Sequence, residues 1–379
     1  MDSSGKNSFE INIRYTLYFI IICILIYLLL YTGFSVSKQK QNCKNIRKNR
    51  MQIAITSSPI ADNTLISDLN IKTAYNCCCS GGFKNDYVDK CALINCAKYG
   101  VRALDFQIFK LNGYPIISAS SVNRIKYKEM YNSLPFNDTM IHVKKTFLND
   151  NTLVNRTEPL FLIFRIYSKS KDTYDKVYDS LNNVFGAGNK TGNLIYITTT
   201  LNAVTFSQLK NKVVILIQSN TGRNDNNEVQ TSLLFRIASL NFNNPEQGSI
   251  YRETDILEMK TCDIKNTTIN IIYPNLQTNS HNYNYTRCVK DKNIQFIGLN
   301  FQTNDDQLKS FNSPPIMNGS QGFGSFAFKQ QAALNKKQRC DHNERGLFNR
   351  MEQNLLKRLR NKFNNLNERL ITNMEDVIQ

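Results

Sequence analysis

Proton transfer near neutral pH draws first on histidine, whose imidazole titrates in that range. This chain of 379 residues has three: His142, His281 and His342. His142 falls in TMIHVKKTF, a helix-like run in which a surface or core histidine is the ordinary reading. His342 belongs to a basic C-terminal stretch, and His281 stands in the segment SHNYN. A single imidazole cannot act as base and acid at two places, so a two-histidine mechanism is not available at any one of these positions. The ten cysteines offer little more. Cys23 lies inside an apolar run. Cys77, Cys78 and Cys79 are consecutive, and neighbours in an extended chain point to opposite sides, a poor arrangement for one metal centre. Cys91 and Cys96 lack a second pair at zinc-finger spacing. No metal is expected; buried thiols or a few disulfides are.

The elements that must hold these side chains follow from the hydrophobic pattern. A hydrophobic content of 41%, with 22 Phe and 18 Tyr, builds a core and excludes wholesale disorder. Between residues 54 and 330 short apolar, β-branched runs alternate with helix-like stretches. Strands are expected at Gly100–Phe109, Pro115–Ser118, Pro159–Ile166, Leu194–Thr198, Lys212–Gln218, Ile269–Tyr273, Ile294–Phe301 and Ser325–Phe328. Helices are expected near Tyr87–Lys98, Asp138–Leu148, Thr173–Phe185 and Gln230–Leu240. Unbroken apolar strands separated by helices indicate a parallel sheet covered on both faces. About eight of them suit an α/β protein with a closed (β/α)8 TIM-barrel. Asn220–Glu228 is polar and turn-rich and divides that barrel in two.

Six segments, in order, then carry a resemblance. They are ISDLNIKTAYN (66–76), GVRALDFQIF (100–109) followed by GYPIISASS, EPLFLIFRIYS (158–168), LKNKVVILI (209–217), IIYPNLQTNSHNYN (271–284), and IQFIGLNFQTND (294–305) followed by NGSQGFGSFAFK. Together they resemble both catalytic halves, X and Y, of the phosphoinositide-specific phospholipases C. The resemblance implies a barrel of the PLC-like phosphodiesterase type, with its site at the C-terminal ends of the strands. In that family one histidine deprotonates the inositol 2-hydroxyl and another protonates the leaving diacylglycerol oxygen. Calcium on carboxylates and an Asn, or an Arg in the bacterial enzymes, balances the phosphate charge.

Position by position, the family's groups are mostly replaced. The first histidine falls on Tyr75, with the following Asn kept as Asn76. The first acidic calcium ligand is matched by Asp105, and the second falls on Gln107. The second histidine falls on Ala119, or on Ser118 or Ser120 if the register slips, and the fourth-strand carboxylate falls on Arg165. His281 borders the family's inositol pocket and is the one available substitute, while Tyr283 matches a ring-stacking tyrosine. No catalytic group, no metal and no cofactor is therefore expected, the calcium site being lost to a cation at Arg165. Two readings of Arg165 stand: it pairs with Asp105 so that each buried charge satisfies the other, or it binds a phosphate directly. Asn76, Asp105, Gln107, Arg165 and Tyr283 are the phosphate- or lipid-binding candidates.

Outside the barrel, Tyr15–Phe34 is uncharged over twenty positions, long enough for a transmembrane helix. Net charge is +17, and its location matters: six bases and no acid lie between Lys38 and Arg50, and ten bases with three acids between Lys329 and Lys362. The organisation expected is an N-terminal tail 1–14, a transmembrane anchor 15–36, a basic juxtamembrane linker 37–53, an X-like half-barrel 54–219, a polar linker 220–230, a Y-like half-barrel 231–330 and a basic amphipathic helical tail 331–379. Basic flanks stay in the cytosol, which places the C-terminal part of this single-pass protein on the cytosolic face. Six Asn-x-Ser/Thr sequons (Asn137, Asn155, Asn189, Asn266, Asn284, Asn318) argue the other way, but a chain this rich in Asn generates sequons by chance. Leu356, Leu359, Phe363, Leu366 and Leu370 give the 343–379 stretch a seam for a protein partner, self-association or anionic lipid. Nucleic acid binding finds no groove-reading or aromatic-rich motif. The composition suits an AT-rich genome, such as that of a large DNA virus or a protist, and a virion membrane is one setting it fits. The sequence thus points to a membrane-anchored PLC-like pseudoenzyme with a structural or binding role. The alternative is a divergent, metal-independent phosphodiesterase acting on phosphatidylinositol-type lipids.

Overall fold

The computed structural model describes residues 4–48, 60–122, 127–186, 192–219, 227–260, 263–265, 267–279, 281–289, 292–312 and 325–329. In chain order its strands are Leu69–Ala74 (β1), Ala103–Leu111 (β2), Tyr114–Ser118 (β3), Leu134–Pro135 (β4), Leu160–Ile166 (β5), Ile195–Tyr196 (β6), Val213–Ser219 (β7), Leu240–Asn241 (β8), Gly248–Arg252 (β9), Ile269–Tyr273 (β10), Phe296–Leu299 (β11) and Phe326–Phe328 (β12). The principal helices are Ser4–Lys48 (α1), Lys90–Lys98 (α2), Phe136–Phe147 (α3) and Lys171–Phe185 (α4).

Parallel strands run side by side in the order β7-β5-β2-β1-β11-β10-β9, and both β6 and β8 pair in parallel with β7, β6 near its start and β8 near its end. This is the curled parallel sheet of a TIM-barrel. The apolar composition explains it: every residue of β1, β5, β10 and β11 is buried, as strands covered on both faces require. The two end strands, β8 and β9, follow each other in sequence. No ladder joins them among the described residues; the Asn241 N–H instead donates to Gln247 Oε1 across the intervening turn, at 2.9 Å. Strand β12 runs antiparallel along the first half of β1, and β3 with β4 extends β2 as an antiparallel flap. Aromatic rings fill the interior at one level, with Phe161 edge-on to Phe296 and Phe326 packed between Phe161 and Phe206. On α4 the buried residues Thr173, Tyr174, Val177, Leu181 and Val184 recur at helical spacing, giving one inward stripe.

Three features depart from the expected pattern. Gln230–Leu240 is not one helix but two single turns, Asn227–Gln230 and Leu234–Ile237, followed by β8. The hydroxyls explain the break: Thr231 Oγ1 donates to the Glu228 carbonyl and Ser232 Oγ accepts from the Leu234 N–H, which competes with helix continuation. Strands β8 and β9 carry no expectation from the pattern, because GSIYR is short and half-buried. The stretch 37–53 is no loose linker as far as Lys48: α1 runs through it and docks on the segment that leads into α2. Cys43 is disulfide-bonded to Cys91, Gln39 Nε2 donates to Asp89 Oδ2 at 2.7 Å, Asn42 Nδ2 donates to Asp86 Oδ1 at 2.7 Å, and Lys38 pairs with Asp86 at 3.7 Å. Before that dock, residues 15–34 are exposed throughout, and Tyr15–Lys48 is long and apolar enough to cross a membrane. The basic tail 331–379, with His342, lies outside the described residues, as do 220–226 of the polar linker.

Candidate functional site

The C-terminal ends of five strands converge on one cluster. β1 leads into Tyr75 and Asn76, β2 carries Asp105, β5 carries Arg165 and leads into Tyr167, and β9 and β10 end in Arg252 and Tyr273. Arg165 grips Asp105 with both arms, Nε to Oδ1 at 2.7 Å and Nη2 to Oδ2 at 2.6 Å. The two side chains are 2% and 0% exposed, so the pair is sealed from water. Arg165 Nη2 also donates to Asn76 Oδ1 at 2.6 Å, and Nη1 to the Tyr167 hydroxyl at 3.4 Å. Tyr273 donates to Asp105 Oδ1 at 2.9 Å, and the Asn76 N–H to Oδ2 at 2.9 Å. That last bond requires the left-handed turn at Asn76 (φ 46°), a conformation Asn adopts more readily than most residues. Asp105 therefore accepts four hydrogen bonds.

Above this pair lies a second cation. Arg252 Nη1 donates to the Tyr75 hydroxyl at 3.1 Å and to the Pro274 carbonyl at 2.8 Å. The Tyr75 ring is held between both guanidinium groups, 4.7 Å from Arg165 and 5.3 Å from Arg252. Close packing of Tyr273 depends on Gly298 in β11, where a Cβ would stand 2.4 Å from the Tyr273 ring. Burial works against the charge of Arg165, but Asp105 and the neighbouring tyrosines outweigh it and hold the guanidinium firmly protonated. Burial, reinforced by Asp105, pushes the Tyr273 phenol well above its ordinary range. Burial also raises Tyr167, with Arg165 opposing. Both phenols thus stay neutral, Tyr273 donating to Asp105 and Tyr167 accepting from Arg165.

The structure brings Tyr75, Asn76, Asp105 and Arg165 together and leaves the other candidates elsewhere. Gln107 is committed to the loop after β3: its Oε1 accepts from the Ser120 N–H at 2.7 Å and its Nε2 donates to the Ser120 carbonyl at 3.3 Å. Ala119 is buried, Ser118 Oγ donates to the Asn132 carbonyl and Ser120 Oγ to Glu129, so none of the three positions carries an imidazole, and the titratable group described beside them is the Glu129 carboxylate, held by Ser120 and Ser121. Tyr283 is buried, with its hydroxyl donating to the Ile272 carbonyl at 3.4 Å, so its ring is core rather than an open stacking face. His281 is exposed, and only its carbonyl is engaged, by Asn300 Nδ2. His142 is half-buried on α3. The sequence reading misses Arg252, Tyr167 and Tyr273. Tyr273 ends a recognised strand and was within reach of that pattern; Arg252 ends a strand with no such signal.

Calcium, which the resemblance implies, needs six or more oxygen ligands around it. Here one carboxylate is present, its oxygens already accept four donors, and a guanidinium occupies the adjoining space. The residues do not fit the ion. Beneath the cluster Cys77, Cys79 and Cys96 are buried, and burial raises their thiols far enough to keep them protonated and unreactive.

No protein-family profile and no curated protein matches the chain. Among solved structures, L. pealei PLC21 aligns over 72% of this chain with a TM-score of 0.51 and 15% identity, covering 38% of its own length. S. officinalis PLC21 aligns over 66% of this chain at TM-score 0.49 and 15% identity, covering 35% of its length. A calcium-dependent phosphoinositol-specific phospholipase C from Pseudomonas sp aligns over 67% of this chain and 95% of its own, at TM-score 0.39 and 10% identity. The chain thus spans little more than a third of the two PLC21 structures. At such identity the likeness is one of architecture, and the chain has a phospholipase C-like barrel fold.

Proposed function

We propose that this protein is a membrane-anchored phospholipase C-like barrel that binds or builds rather than cleaves. The observation that carries the reading is the sealed bidentate pair of Arg165 and Asp105, closed over by Tyr75, Tyr273 and Arg252. Phosphodiester cleavage of the family's kind needs a base, an acid and a countercharge free to meet a phosphate. In this mouth Tyr273 is a neutral donor to Asp105, the carboxylate is saturated and the cation paired with it is neutralised. The apolar length of α1 supports membrane attachment through it. The ligand classes that fit are anionic lipid, or a protein partner or second copy engaged through the 343–379 stretch. Calcium takes no part.

The test is phosphodiester cleavage by the full-length chain in vesicles containing phosphatidylinositol and its phosphorylated forms, with calcium and with chelator. Asp105→Asn serves as the control. Product no greater than that of the control is the expected result. Cleavage abolished by Asp105→Asn would sink the reading, and its persistence in chelator would identify a metal-independent phosphodiesterase.

A further inference from the structure

The Cys43–Cys91 disulfide bears on which side of a membrane the barrel occupies. We infer that the barrel folds on the oxidising side, opposite to the side its flanking charge predicts, and that Asn137 and Asn284 are open there to N-glycosylation. The inference rests on α1 entering a membrane, as proposed above. Disulfides persist in oxidising compartments and are rare in the cytosol. Here one bonds α1 to the start of α2. The free cysteines described beyond the apolar segment, Cys77, Cys78, Cys79, Cys96 and Cys288, are all buried. Among the described residues, then, no thiol outside that segment is left both free and accessible. Buried free cysteines are ordinary in either milieu; it is the disulfide that an oxidising one sustains and a reducing one does not.

The sequons sort in the same direction. Asn137, on the first turn of α3, is exposed. Asn284 is exposed too, and its Oδ1 accepts from Thr286 Oγ1 and the Arg287 N–H, so the partners of its amide lie on the oxygen and not on the nitrogen that would carry a glycan. Asn155 is the internal control: it is 2% exposed and its Nδ2 donates to Ser325 Oγ, which leaves no room for a sugar. Against this stands the basic stretch after the apolar run, which is a bias in insertion, whereas a disulfide is a chemical requirement. A span with its N-terminus in the cytosol and a signal sequence deliver the barrel to the same side.

Both reactions have defined partners. The two thiols lose two protons and two electrons to a protein or small-molecule disulfide, which leaves as two thiols. The amide nitrogen of each Asn displaces a lipid pyrophosphate from the anomeric carbon of a lipid-linked oligosaccharide, forming the C–N bond and releasing the amide proton to the transferase's base. In a reducing compartment Cys43, Cys91 and Asp89, whose ligand atoms lie within 4.8 Å of one another, would instead be two thiols and a carboxylate able to hold a divalent cation.

The experiment uses the full chain translated into endoplasmic-reticulum microsomes. Free thiols are blocked with N-ethylmaleimide before lysis, and the rest are counted after reduction with a polyethylene glycol maleimide. Two residues should appear only after reduction and vanish from the count in Cys43→Ser and Cys91→Ser. Protease added to intact vesicles should leave the barrel whole. Endoglycosidase should increase mobility, with Asn137→Gln and Asn284→Gln each removing one glycan and Asn155→Gln none. Digestion of the barrel in intact vesicles, or alkylation of both cysteines before reduction, overturns the sidedness. Protection without glycans at Asn137 and Asn284 overturns the modification sites and supports the sidedness. Release of a shortened chain by alkaline carbonate overturns the anchoring and leaves the sidedness standing.

Discussion

Arg165 and Asp105 illustrate how little a buried ion pair says until its partners are counted. Taking two charges out of water is costly, and the cost is met here by a bidentate grip and further hydrogen bonds to each member. Removing one member strands the other. Arg165→Met should therefore cost roughly 3–5 kcal/mol in denaturant unfolding of the detergent-solubilised chain, whereas Arg165→Met with Asp105→Asn should cost less than the two single changes added together. Additive costs would show that the pair does not act as a unit. Lys72 makes the second residue-scale case, from within β1. It donates to the Tyr99 carbonyl and to Asn312 Oδ1, and burial pulls its pKa from 10.5 to about 7, against the attraction of Glu158. The folded protein thus takes up this proton only below about 7, while the unfolded chain takes it up near its ordinary value. The stabilisation from Lys72 is present in full above that ordinary value and is lost as pH falls towards about 7. Wild type should gain stability over Lys72→Met as pH rises through that window, by at most about 1.4 kcal/mol per pH unit; a flat difference would mean that Lys72 stays protonated in the fold. Of these residues, Asp105 and Arg165 were legible because each falls on a site position of the family the sequence resembles. Arg252 was not, since a cation after a short half-polar run has the look of an ordinary surface residue.

At the scale of elements, long apolar runs were easy to read and short or context-dependent ones were not. β5 and β7 announce themselves in seven-residue apolar ladders, whereas β8 has two residues and β9 is half-buried. The helical course of α1 beyond its apolar stretch was hidden for another reason: a basic segment is ordered there by partners in 80–91, remote in sequence, among them Asp86, Asp89 and Cys91. That dock has a measurable consequence. The disulfide closes a separation of 48 residues, for which chain entropy gives roughly 4 kcal/mol. Reduction should lower the unfolding midpoint and speed amide exchange in residues 35–48, while β5 keeps its protection. Equal loss in β5 would show that the dock is part of the core. β11 supplies a subtler constraint, because Gly298 makes room for the Tyr273 ring and, through it, for the hydrogen bond to Asp105. Gly298→Ala should cost on the order of 1–3 kcal/mol by overpacking, and an unchanged midpoint would show that Tyr273 can move aside freely.

For the molecule as a whole, the decisive feature is where no ladder closes the barrel among the described residues. A closed barrel has no edge strands, yet among the described residues β8 and β9 meet through a turn and one side-chain bond, in which Gln247 Oε1 accepts from the Asn241 N–H. Each is short or half-buried, and each has a ladder on one side only, β8 on β7 and β9 on β10. Local opening draws on the regions with the fewest buried contacts, so this seam should open before the rest. The seam also touches the site. Arg252 ends β9 and donates to the Tyr75 hydroxyl, so a displaced β9 withdraws the upper cation and uncovers the ring that shields Arg165. Among the described residues, access to the mouth is therefore coupled to the weakest edge of the barrel. Gln247→Ala removes the one side-chain bridge, and hydrogen exchange followed by mass spectrometry should report faster exchange across 240–252 with β5 and β7 unchanged. A ligand that enters the mouth should do the same to β9, and one that binds against a closed mouth should slow it. If β5 and β7 lose protection together with 240–252 in Gln247→Ala, the barrel opens as one unit, and the paired charges at its mouth are as permanent as its core.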